Sequence, residues 1–252
     1  MVIAGVRIPM AWALLFWAAI WEFVGHTESV FIITPLSSVL AALIEILPQS
    51  SFHEAMLITG ITFGAGMLFA IVFGVALGFI MGLNKTANGL LGMWVNIFAA
   101  APLSSLVPVL MLLFGFGMKT IIITVVLFSI WIIALDTYAG VRHVSPSLLE
   151  MGRSFGATRW QICHKIIFLA ALPEILAGIR MGFIRAVKGV VIGQLLISVV
   201  GIGQLFRIYI RSFLMSEFWA LALILFVVAL GMAAIIGKLE KSIEYYASAR
   251  TE

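Results

Sequence analysis

Charged residues are scarce in this chain. They make up 10% of its 252 residues, against about 25% in ordinary soluble domains, while apolar residues reach 63% and the mean hydropathy is +1.20. A large soluble helical domain would need more polar surface around its core, so the composition favours an integral membrane protein. The net charge of +4 does not indicate nucleic-acid binding, because basic residues in such a chain usually mark cytoplasmic loops.

Cysteine is nearly absent, and histidine is dispersed. The single cysteine, Cys163, excludes an internal disulfide, and there is no C-x-x-C or Cys/His cluster to suggest a metal site. The four histidines, His26, His53, His143 and His164, lie far apart in sequence. An intramembrane enzyme is an alternative class, but no nucleophile paired with a base and no clustered metal ligands occur in the apolar segments. The chain is therefore not expected to be an enzyme.

No phosphate-binding loop of the form G-x-x-x-x-G-K-[ST] is present. The most similar segment, G-F-G-M-K-T at 115–120, lacks the Gly-Lys pair and lies between two apolar runs. The sequence therefore predicts no nucleotide or other cofactor bound by this chain.

The chain has six apolar runs long enough to cross a bilayer, which needs about 20 residues. They are expected to be helices, since each backbone amide in lipid must be paired within its own segment. They lie near residues 8–25, 55–83, 92–117, 120–140, 175–199 and 217–237 within a single transmembrane domain, 1–252. The first run lacks an A-x-A-like cleavage site and is read as a retained span. Pro102 and Pro108 interrupt the third, which predicts a broken or kinked helix.

The basic residues are distributed unequally between the loops. Nine basic residues fall in segments on one side of the membrane: Arg7, Lys85, Arg142, Arg153, Arg159, Lys165, Lys238, Lys241 and Arg250. Three fall in the loops on the opposite side: Lys119, Arg207 and Arg211. This asymmetry places both termini, the 84–89 loop and the 141–174 segment in the cytoplasm. We call the 141–174 segment the basic loop.

Small residues recur every four positions in the second and fifth runs, which lets helix backbones approach closely. The glycines concerned are Gly60, Gly64, Gly74, Gly78 and Gly82, and Gly178, Gly182, Gly189 and Gly193. Tight packing within one bundle explains them more simply than a dimerisation face. Between the first two runs, Pro35 to Leu47 shows apolar residues at helical period and is expected to lie along the outer membrane face.

The basic loop carries helix start and stop signals. Ser145-Pro146 begins a helix, with Ser147 and Glu150 as an alternative capping box, and Gly156 suits its end. Thr158, three residues before Gln161, predicts a second capping box and a returning helix. An exposed Phe155 between two arginines suits an anchor entering a partner's groove. A loop lying on lipid headgroups fits these residues equally well from composition alone.

The order Glu150, Gly156, Ile166 and Leu172-Pro173 resembles the cytoplasmic E-A-A loop of ATP-binding-cassette importer permeases. The resemblance extends over T-P-L-S-S-V from residue 34, A-A-A-P-L-S-S-L-V-P from 99, L-L-F-G-F-G from 112, D-T-Y-A-G-V-R from 136 and G-I-G-Q-L from 201. These segments are similar to type I permeases of the nitrate, sulfonate, taurine and bicarbonate family. The resemblance implies an all-α membrane protein of about six spans with the MetI-like fold.

The resemblance also implies partners and contact residues. A separate cytosolic ATPase dimer would bind ATP-Mg, a second permease copy would complete the pathway as a homodimer, and an extracytoplasmic binding protein would deliver the solute in the bacterial inner membrane. The residues assigned to the ATPase contact are Glu150, Gly152, Arg153, Ser154, Phe155, Gly156, Ala157 and Thr158. Met151 and Gly152 replace the two alanines of the motif, and Phe168-Leu169 replaces its usual Leu-Pro.

Four residues in the spans are candidates for the translocation path: Asp136, Arg185, Lys188 and Gln194. Relatives often carry asparagine at the first position and glutamate at the last. Arg185 lies about 18 Å along its helix from Pro173, at about 1.5 Å per residue. Arg185 and Lys188 share one helix face, and Asp136 can neutralise only one of them, which predicts a small anionic solute. A secondary transporter using Asp136, Arg185 and Lys188 as couplers is the alternative. The sequence does not name the solute.

Overall fold

The structure, a computed structural model, describes residues 2–3, 6–7, 10–27, 32–197 and 199–248. Ile8, Ser198 and Arg250, which belong to the predicted first and fifth spans and the basic tail, lie outside this part. Two dipeptides, Val2–Ile3 and Val6–Arg7, pair antiparallel as β1 and β2. Helices form the rest of the described architecture: α1 Met10–His26, α2 Leu36–Ile46, α3 Ser50–Leu83, α4 Lys85–Ala100, α5 Val107–Phe114, α6 Met118–His143, α7 Pro146–Ser154, α8 Arg159–Gln161, α9 Phe168–Ala170, α10 Leu172–Ile197, α11 Ile202–Arg211 and α12 Met215–Ser248.

Two of these helices, α3 and α6, are each long and apolar enough to cross a membrane unaided. Two bent pairs add one such span each: α4 with the segment Leu103–Phe114, and Arg159–Ala170 with α10. The 17-residue α1 and the apolar first half of α12, Met215–Gly231, fall in the remaining two predicted spans. The short α2 covers the stretch that was predicted to be an amphipathic outer helix.

The third predicted span is broken, as its prolines predict. Helix α4 ends at Ala100, a 3-10 turn follows at Leu103–Leu106, and α5 continues at an angle of 95°. Pro102 stands at the break and has no backbone N–H to continue the helical hydrogen bonds.

The 84–89 loop was a wrong prediction. Asn84 alone joins α3 to α4. Its side-chain oxygen caps α4 by accepting hydrogen bonds from the N–H groups of Thr86 at 2.9 Å and Ala87 at 3.3 Å, so residues 85–89 are helical instead of forming a loop.

Helix α6 lies between the glycine faces of α3 and α10. On α3, a methyl group at Gly66 would overlap Val125, and one at Gly78 would overlap the Ala134 carbonyl and lie 2.7 Å from Thr137 Cβ. On α10, a methyl group at Gly182 would lie 2.5 Å from Ile133 Cγ1. The predicted glycine rows therefore pack within the bundle, with the exception of Gly60 and Gly64, which have open space beside them.

Two buried polar side chains on α6, Thr124 and Ser129, bond to their own helix rather than across the interface. Thr124 Oγ1 donates to the Thr120 carbonyl at 2.8 Å, and Ser129 Oγ donates to the carbonyl of Val125. These hydroxyls are buried, and bonding to the backbone one turn earlier satisfies them in an apolar environment. The hydroxyls therefore do not interfere with the close approach of α3 and α10.

We expect Gly78→Ala to destabilise the fold by about 1–3 kcal/mol, because the new methyl group meets the α6 backbone, which cannot move without disturbing α10. Gly64→Ala is the matched control on the same helix, since its methyl group enters open space, and it should be neutral or mildly stabilising. Thermal unfolding of both purified variants in detergent measures the difference. Equal stability of the two variants would contradict the α3–α6 packing.

Candidate functional site

The basic loop begins with a short capped helix. Pro146 occupies the first position of α7, where its missing N–H leaves no bond unmade. The alternative capping box at Ser147 and Glu150 is not adopted; instead the hydroxyls of Ser145 and Ser147 bond to each other at 2.7 Å. The Ser154 hydroxyl donates to the Glu150 carbonyl at 3.0 Å, so Glu150 contributes its backbone to the last turn.

Helix α7 ends in a Schellman turn at Gly156. The N–H of Ala157 donates to the Gly152 carbonyl at 3.0 Å, and the N–H of Gly156 donates to the Arg153 carbonyl at 2.9 Å. Gly156 has a φ of 74°, a left-handed conformation that glycine adopts without steric cost. The turn therefore reverses the chain directly after Phe155.

The chain restarts as a helix at Thr158, with the predicted capping box. Thr158 Oγ1 accepts from the Gln161 N–H at 3.3 Å, and Gln161 Oε1 accepts from the Thr158 N–H at 2.8 Å. The returning segment passes through α8, a π-helical stretch at Ile162–Ile167 and α9 before it bends by 59° into α10. Rings stack along its exposed side, with His164 between Trp160 at 5.8 Å and Phe168 at 5.9 Å.

Gly152 fixes the outgoing helix against the returning one. It is buried, and a methyl group there would overlap Ile166 Cδ1, so the two motif positions are in contact. The other face of α7 is apolar but uncovered: the exposed fractions are 38% for Leu148, 49% for Met151 and 85% for Phe155. These three residues follow helical spacing and form the exposed stripe of the basic loop. Arg153 and Arg159 are exposed on either side of its tip.

The structure separates the four path candidates. Asp136, on α6, packs beneath α10, where a methyl group at Gly178 would lie 2.7 Å from its Cβ. Arg185 Nη1 donates to the Ala99 carbonyl at 3.0 Å. In the part of the chain that the structure describes, no ion pair within 4.0 Å joins Asp136 to Arg185. Asp136 therefore does not neutralise Arg185 through a direct salt bridge, as was expected for one of the two cations.

Ala99 needs a side-chain partner because the α4 helix breaks beyond it. The N–H that would normally reach its carbonyl belongs to Leu103, and that group bonds to the Ala101 carbonyl at 2.9 Å instead. An unpaired carbonyl inside a membrane protein is costly, and a helix carboxyl end attracts cations. The Arg185 guanidinium supplies both the missing hydrogen bond and a positive charge at this helix end, and so ties the broken span to α10.

Lys188 lies in a different environment from Arg185, although the two are three residues apart. It is exposed in an apolar groove of about 560 Å³ between α10 and α12. Phe183, Val191, Trp219 and Phe226 contribute to the walls. No acidic side chain of the described residues lies within 4.0 Å of the Lys188 ammonium.

Gln194 is 2% exposed and takes part in a buried hydrogen-bond cluster. Its Nε2 donates to Thr59 Oγ1 at 2.9 Å, and the same oxygen accepts from the Ile202 N–H at 3.3 Å. Gly201, with a φ of 66°, allows the approach, since a methyl group there would lie 2.7 Å from Gln194 Nε2. The cluster ties α3, α10 and the start of α11 together. Sequence analysis missed Thr59 because its partner is 135 residues away.

We expect Arg185→Met to lower the free energy of unfolding by about 1–3 kcal/mol, because it leaves the Ala99 carbonyl unpaired. Arg185→Lys should retain part of the stability, since an ammonium can also donate to this carbonyl. Lys188→Met is the matched control, because Lys188 is exposed and should lose little stability. Thermal unfolding in one detergent compares the three variants. If Lys188→Met lost as much stability as Arg185→Met, the stabilising role of the hydrogen bond from Arg185 to the Ala99 carbonyl would be contradicted.

Three curated permeases are similar to this chain. The carnitine transport permease OpuCD of Listeria monocytogenes is 34% identical over 58% of this chain and 64% of its own length. The taurine transport permease TauC of Escherichia coli is 28% identical over 66% of this chain and 62% of its own length. The putative aliphatic sulfonates permease SsuC of Bacillus subtilis is 29% identical over 74% of this chain and 68% of its own length. The chain thus spans just under two thirds of the first two permeases.

Solved structures share the architecture. Two inward-facing crystal forms of the MetNI methionine ABC transporter match with TM-scores of 0.58 and 0.61 at 20% and 19% identity. The match covers 78% of this chain and 94% of the solved chain in the first form. The fold is therefore the all-α fold of a type I importer permease, and the apolar helices are those of a multi-pass inner-membrane protein.

The family model for the binding-protein-dependent transport system inner membrane component matches residues 70–245, which include the C-terminal part of α3, the basic loop and all of α10. Because this match extends over more than half of the chain, the protein belongs to the family of binding-protein-dependent transport system inner membrane components.

Proposed function

We propose that this chain is the permease subunit of an ATP-driven importer, which couples to a separate ATPase through residues 147–158. The observation that carries the proposal is the exposed stripe of α7, which ends in a Phe155 side chain that is 85% exposed. The Schellman turn and the Gly152–Ile166 contact hold this stripe rigidly. A rigid apolar ridge with flanking arginines is suited to a groove on another protein.

The lipid-headgroup alternative for the basic loop is less well supported. An interfacial helix buries a broad apolar face in the bilayer and keeps its basic residues on the opposite face. In α7 the Gly152 side already packs on Ile166, so only the narrow stripe remains uncovered. Arg153 and Arg159 are both exposed and lie within four residues of Phe155 in sequence, which suits an aromatic anchor with a charged rim.

We propose the remaining partners by analogy with the family. ATP-Mg is assigned to the cytosolic ATPase dimer, a second copy of this chain to the other half of the pathway, and solute delivery to an extracytoplasmic binding protein. Nine basic residues against three support an arrangement with both termini in the cytoplasm. The secondary-transporter alternative is not supported by the family match, and Arg185, one of its proposed couplers, is engaged with a backbone carbonyl.

We propose a small anionic solute, with Asp136, Arg185, Lys188 and Gln194 near its path. Names of the relatives do not select the solute, since they include carnitine, taurine, aliphatic sulfonates and riboflavin. Lys188 supports an anion most directly, because its side chain lines an apolar groove and, among the described residues, has no acidic partner within 4.0 Å. Gln194 is buried and supports the geometry of the path rather than direct contact.

Replacing Phe155 by Asp should abolish co-purification of the ATPase, because it removes the apolar anchor and adds a charge at the centre of the contact. Gly156→Val should act similarly by opposing the left-handed turn, whereas Ala170→Val, an exposed control in the returning segment outside residues 147–158, should leave assembly intact. Affinity purification of the permease with its ATPase provides the measurement. Normal assembly and transport in both Phe155→Asp and Gly156→Val would refute the coupling role.

Lys188→Gln should reduce uptake of an anionic solute about tenfold or more, as expected for a lost hydrogen bond to a charged group. Lys188→Arg should retain most of the uptake, and Lys85→Gln, at the cytoplasmic end of α4, is the control for a lost positive charge elsewhere. Uptake by proteoliposomes containing equal amounts of complex measures the effect. A cationic physiological solute, or wild-type uptake in Lys188→Gln, would overturn the anion assignment.

A further inference from the structure

An apolar groove of about 580 Å³ lies between α3 and α10, beside the returning segment of the basic loop. Its α3 wall runs from Ile71 to Ile80, and its other wall runs from Phe168 to Ile179. Every residue that lines it, except Ala76, is valine, leucine, isoleucine or phenylalanine. At about 1.5 Å per residue the α3 wall is about 14 Å long, close to half of the hydrocarbon core of a bilayer. The groove therefore has the length of one membrane leaflet.

Three stacked rings lead from the basic loop to one end of this groove. Trp160, His164 and Phe168 follow one another at four-residue spacing, and their ring centroids are 5.8 Å and 5.9 Å apart. We call these three residues the aromatic ladder. Phe168 also lines the groove, and its ring centroid lies 6.1 Å from that of Phe79 on the α3 wall. The ladder and the groove thus form one continuous surface.

The inclination of the ladder suits the headgroup layer of a bilayer. From Trp160 to Phe168 the chain covers about 12 Å, at about 1.5 Å per residue. The returning segment is bent by 59° from α10, so the ladder rises only about 6 Å along the α10 axis. The polar layer on each side of the hydrocarbon core is about 5–8 Å thick. Tryptophan is enriched in this layer, and the Trp160 side chain is 75% exposed.

The aromatic ladder faces away from α7. The returning segment meets α7 through Ile162 and Ile166, whose side chains a methyl group at Gly152 would approach. These two isoleucines follow Trp160 and His164 by two positions, and side chains two positions apart on a helix do not share a face. The exposed stripe of α7 and the ladder therefore lie on different sides of the loop. A cytosolic ATPase on the stripe leaves the ladder free, and it cannot enter a groove between two spans.

Two cations stand next to the ladder. Arg159 precedes Trp160, Lys165 follows His164, and both cations are exposed. Within the part of the chain that the structure describes, neither has an acidic partner within 4.0 Å. Basic residues at the cytoplasmic surface of a membrane attract anionic lipids. The end of the groove that meets the ladder is thus suited to an anionic headgroup.

We propose that the groove between α3 and α10 holds an acyl chain of an anionic phospholipid, whose phosphate group lies beside Trp160 and Lys165. The proposal rests on the orientation proposed above, which places the basic loop in the cytoplasm, so the lipid belongs to the cytoplasmic leaflet. A second copy of this chain suits the groove less well. Helices in membranes approach each other closely through small residues, and Ala76 is the only small residue among the described ones that line the groove.

The test measures phosphatidylglycerol bound to the purified permease–ATPase complex by native mass spectrometry. Ala76→Phe should weaken binding about tenfold or more, because Ala76 is exposed and the new ring would displace several methylene groups of the chain from the groove. Leu68→Phe is the matched control and should bind normally, since Leu68 is 61% exposed about two turns earlier on the same helix and does not line the groove.

The headgroup is tested by comparing phosphatidylglycerol with phosphatidylcholine. The unmodified complex should bind phosphatidylglycerol more tightly, and Lys165→Gln should weaken its binding about fivefold while leaving phosphatidylcholine binding unchanged. Lys119→Gln, which removes an exposed cation outside the basic loop, should change neither. Trp160→Ala should weaken the binding of both lipids and leave ATPase co-purification intact.

Each outcome supports or overturns the lipid site. Equal phosphatidylglycerol binding by Ala76→Phe and Leu68→Phe would overturn the acyl-chain groove, and equal affinity of the unmodified complex for both lipids would overturn the anionic headgroup. Loss of the ATPase from Trp160→Ala with normal lipid binding would assign the ladder to the ATPase instead. Loss of the second permease copy from Ala76→Phe with normal lipid binding would assign the groove to that copy. If no ATPase co-purifies with the unmodified chain, the importer function fails, and lipid binding to the permease alone still decides this proposal.

Discussion

The packing of α3 and α10 against α6 is the constraint on which the rest of the structure depends. Without a hydrophobic force to drive helices together in lipid, association relies on close contact, and glycines on both neighbours provide it. At the end of α6 that leads into the basic loop this contact continues, since a methyl group at Gly140 of α6 would lie 2.8 Å from Glu174 Cβ and 3.1 Å from the Ala171 carbonyl. The start of α10, directly after the basic loop, is thus fixed to the centre of the bundle.

This fixed junction gives the basic loop a mechanical connection to the spans. Helix α7 is held to the returning segment by Gly152 and Ile166, and that segment bends by 59° into α10. Helix α10 in turn holds the broken α4–α5 span through Arg185 and the start of α11 through Gln194. A displacement of α7 is therefore transmitted through α10 to the broken α4–α5 span and to α11, because packed helices move as rigid bodies rather than deforming locally.

Local signals in the sequence predicted the local structure well. The capping box at Thr158, the stop at Gly156 and the break near Pro102 each depend on residues a few positions apart, and each is observed. Contacts between distant residues could not be predicted in this way. Arg185 and Ala99 are 86 residues apart, and the pairing follows only from the fold that brings α10 against the end of α4. The left-handed backbone of Phe213, which has a φ of 58°, was also beyond sequence analysis, because nothing in its residue type suggests it.

The two cations three residues apart on α10 differ in how the fold compensates their charge. Arg185 is compensated by a carbonyl that the helix break leaves without its usual partner, so its burial contributes to stability. Within the part of the chain that the structure describes, Lys188 has no acidic partner within 4.0 Å, and insertion scales assign a basic residue at mid-membrane a cost of about 2.5–3.5 kcal/mol. Since proteins are marginally stable, by about 5–15 kcal/mol, a cost of this size is not retained without a return. The proposed anionic solute would supply that return, because the Lys188 side chain lines the groove between α10 and α12 and its ammonium group would gain a counter-charge there.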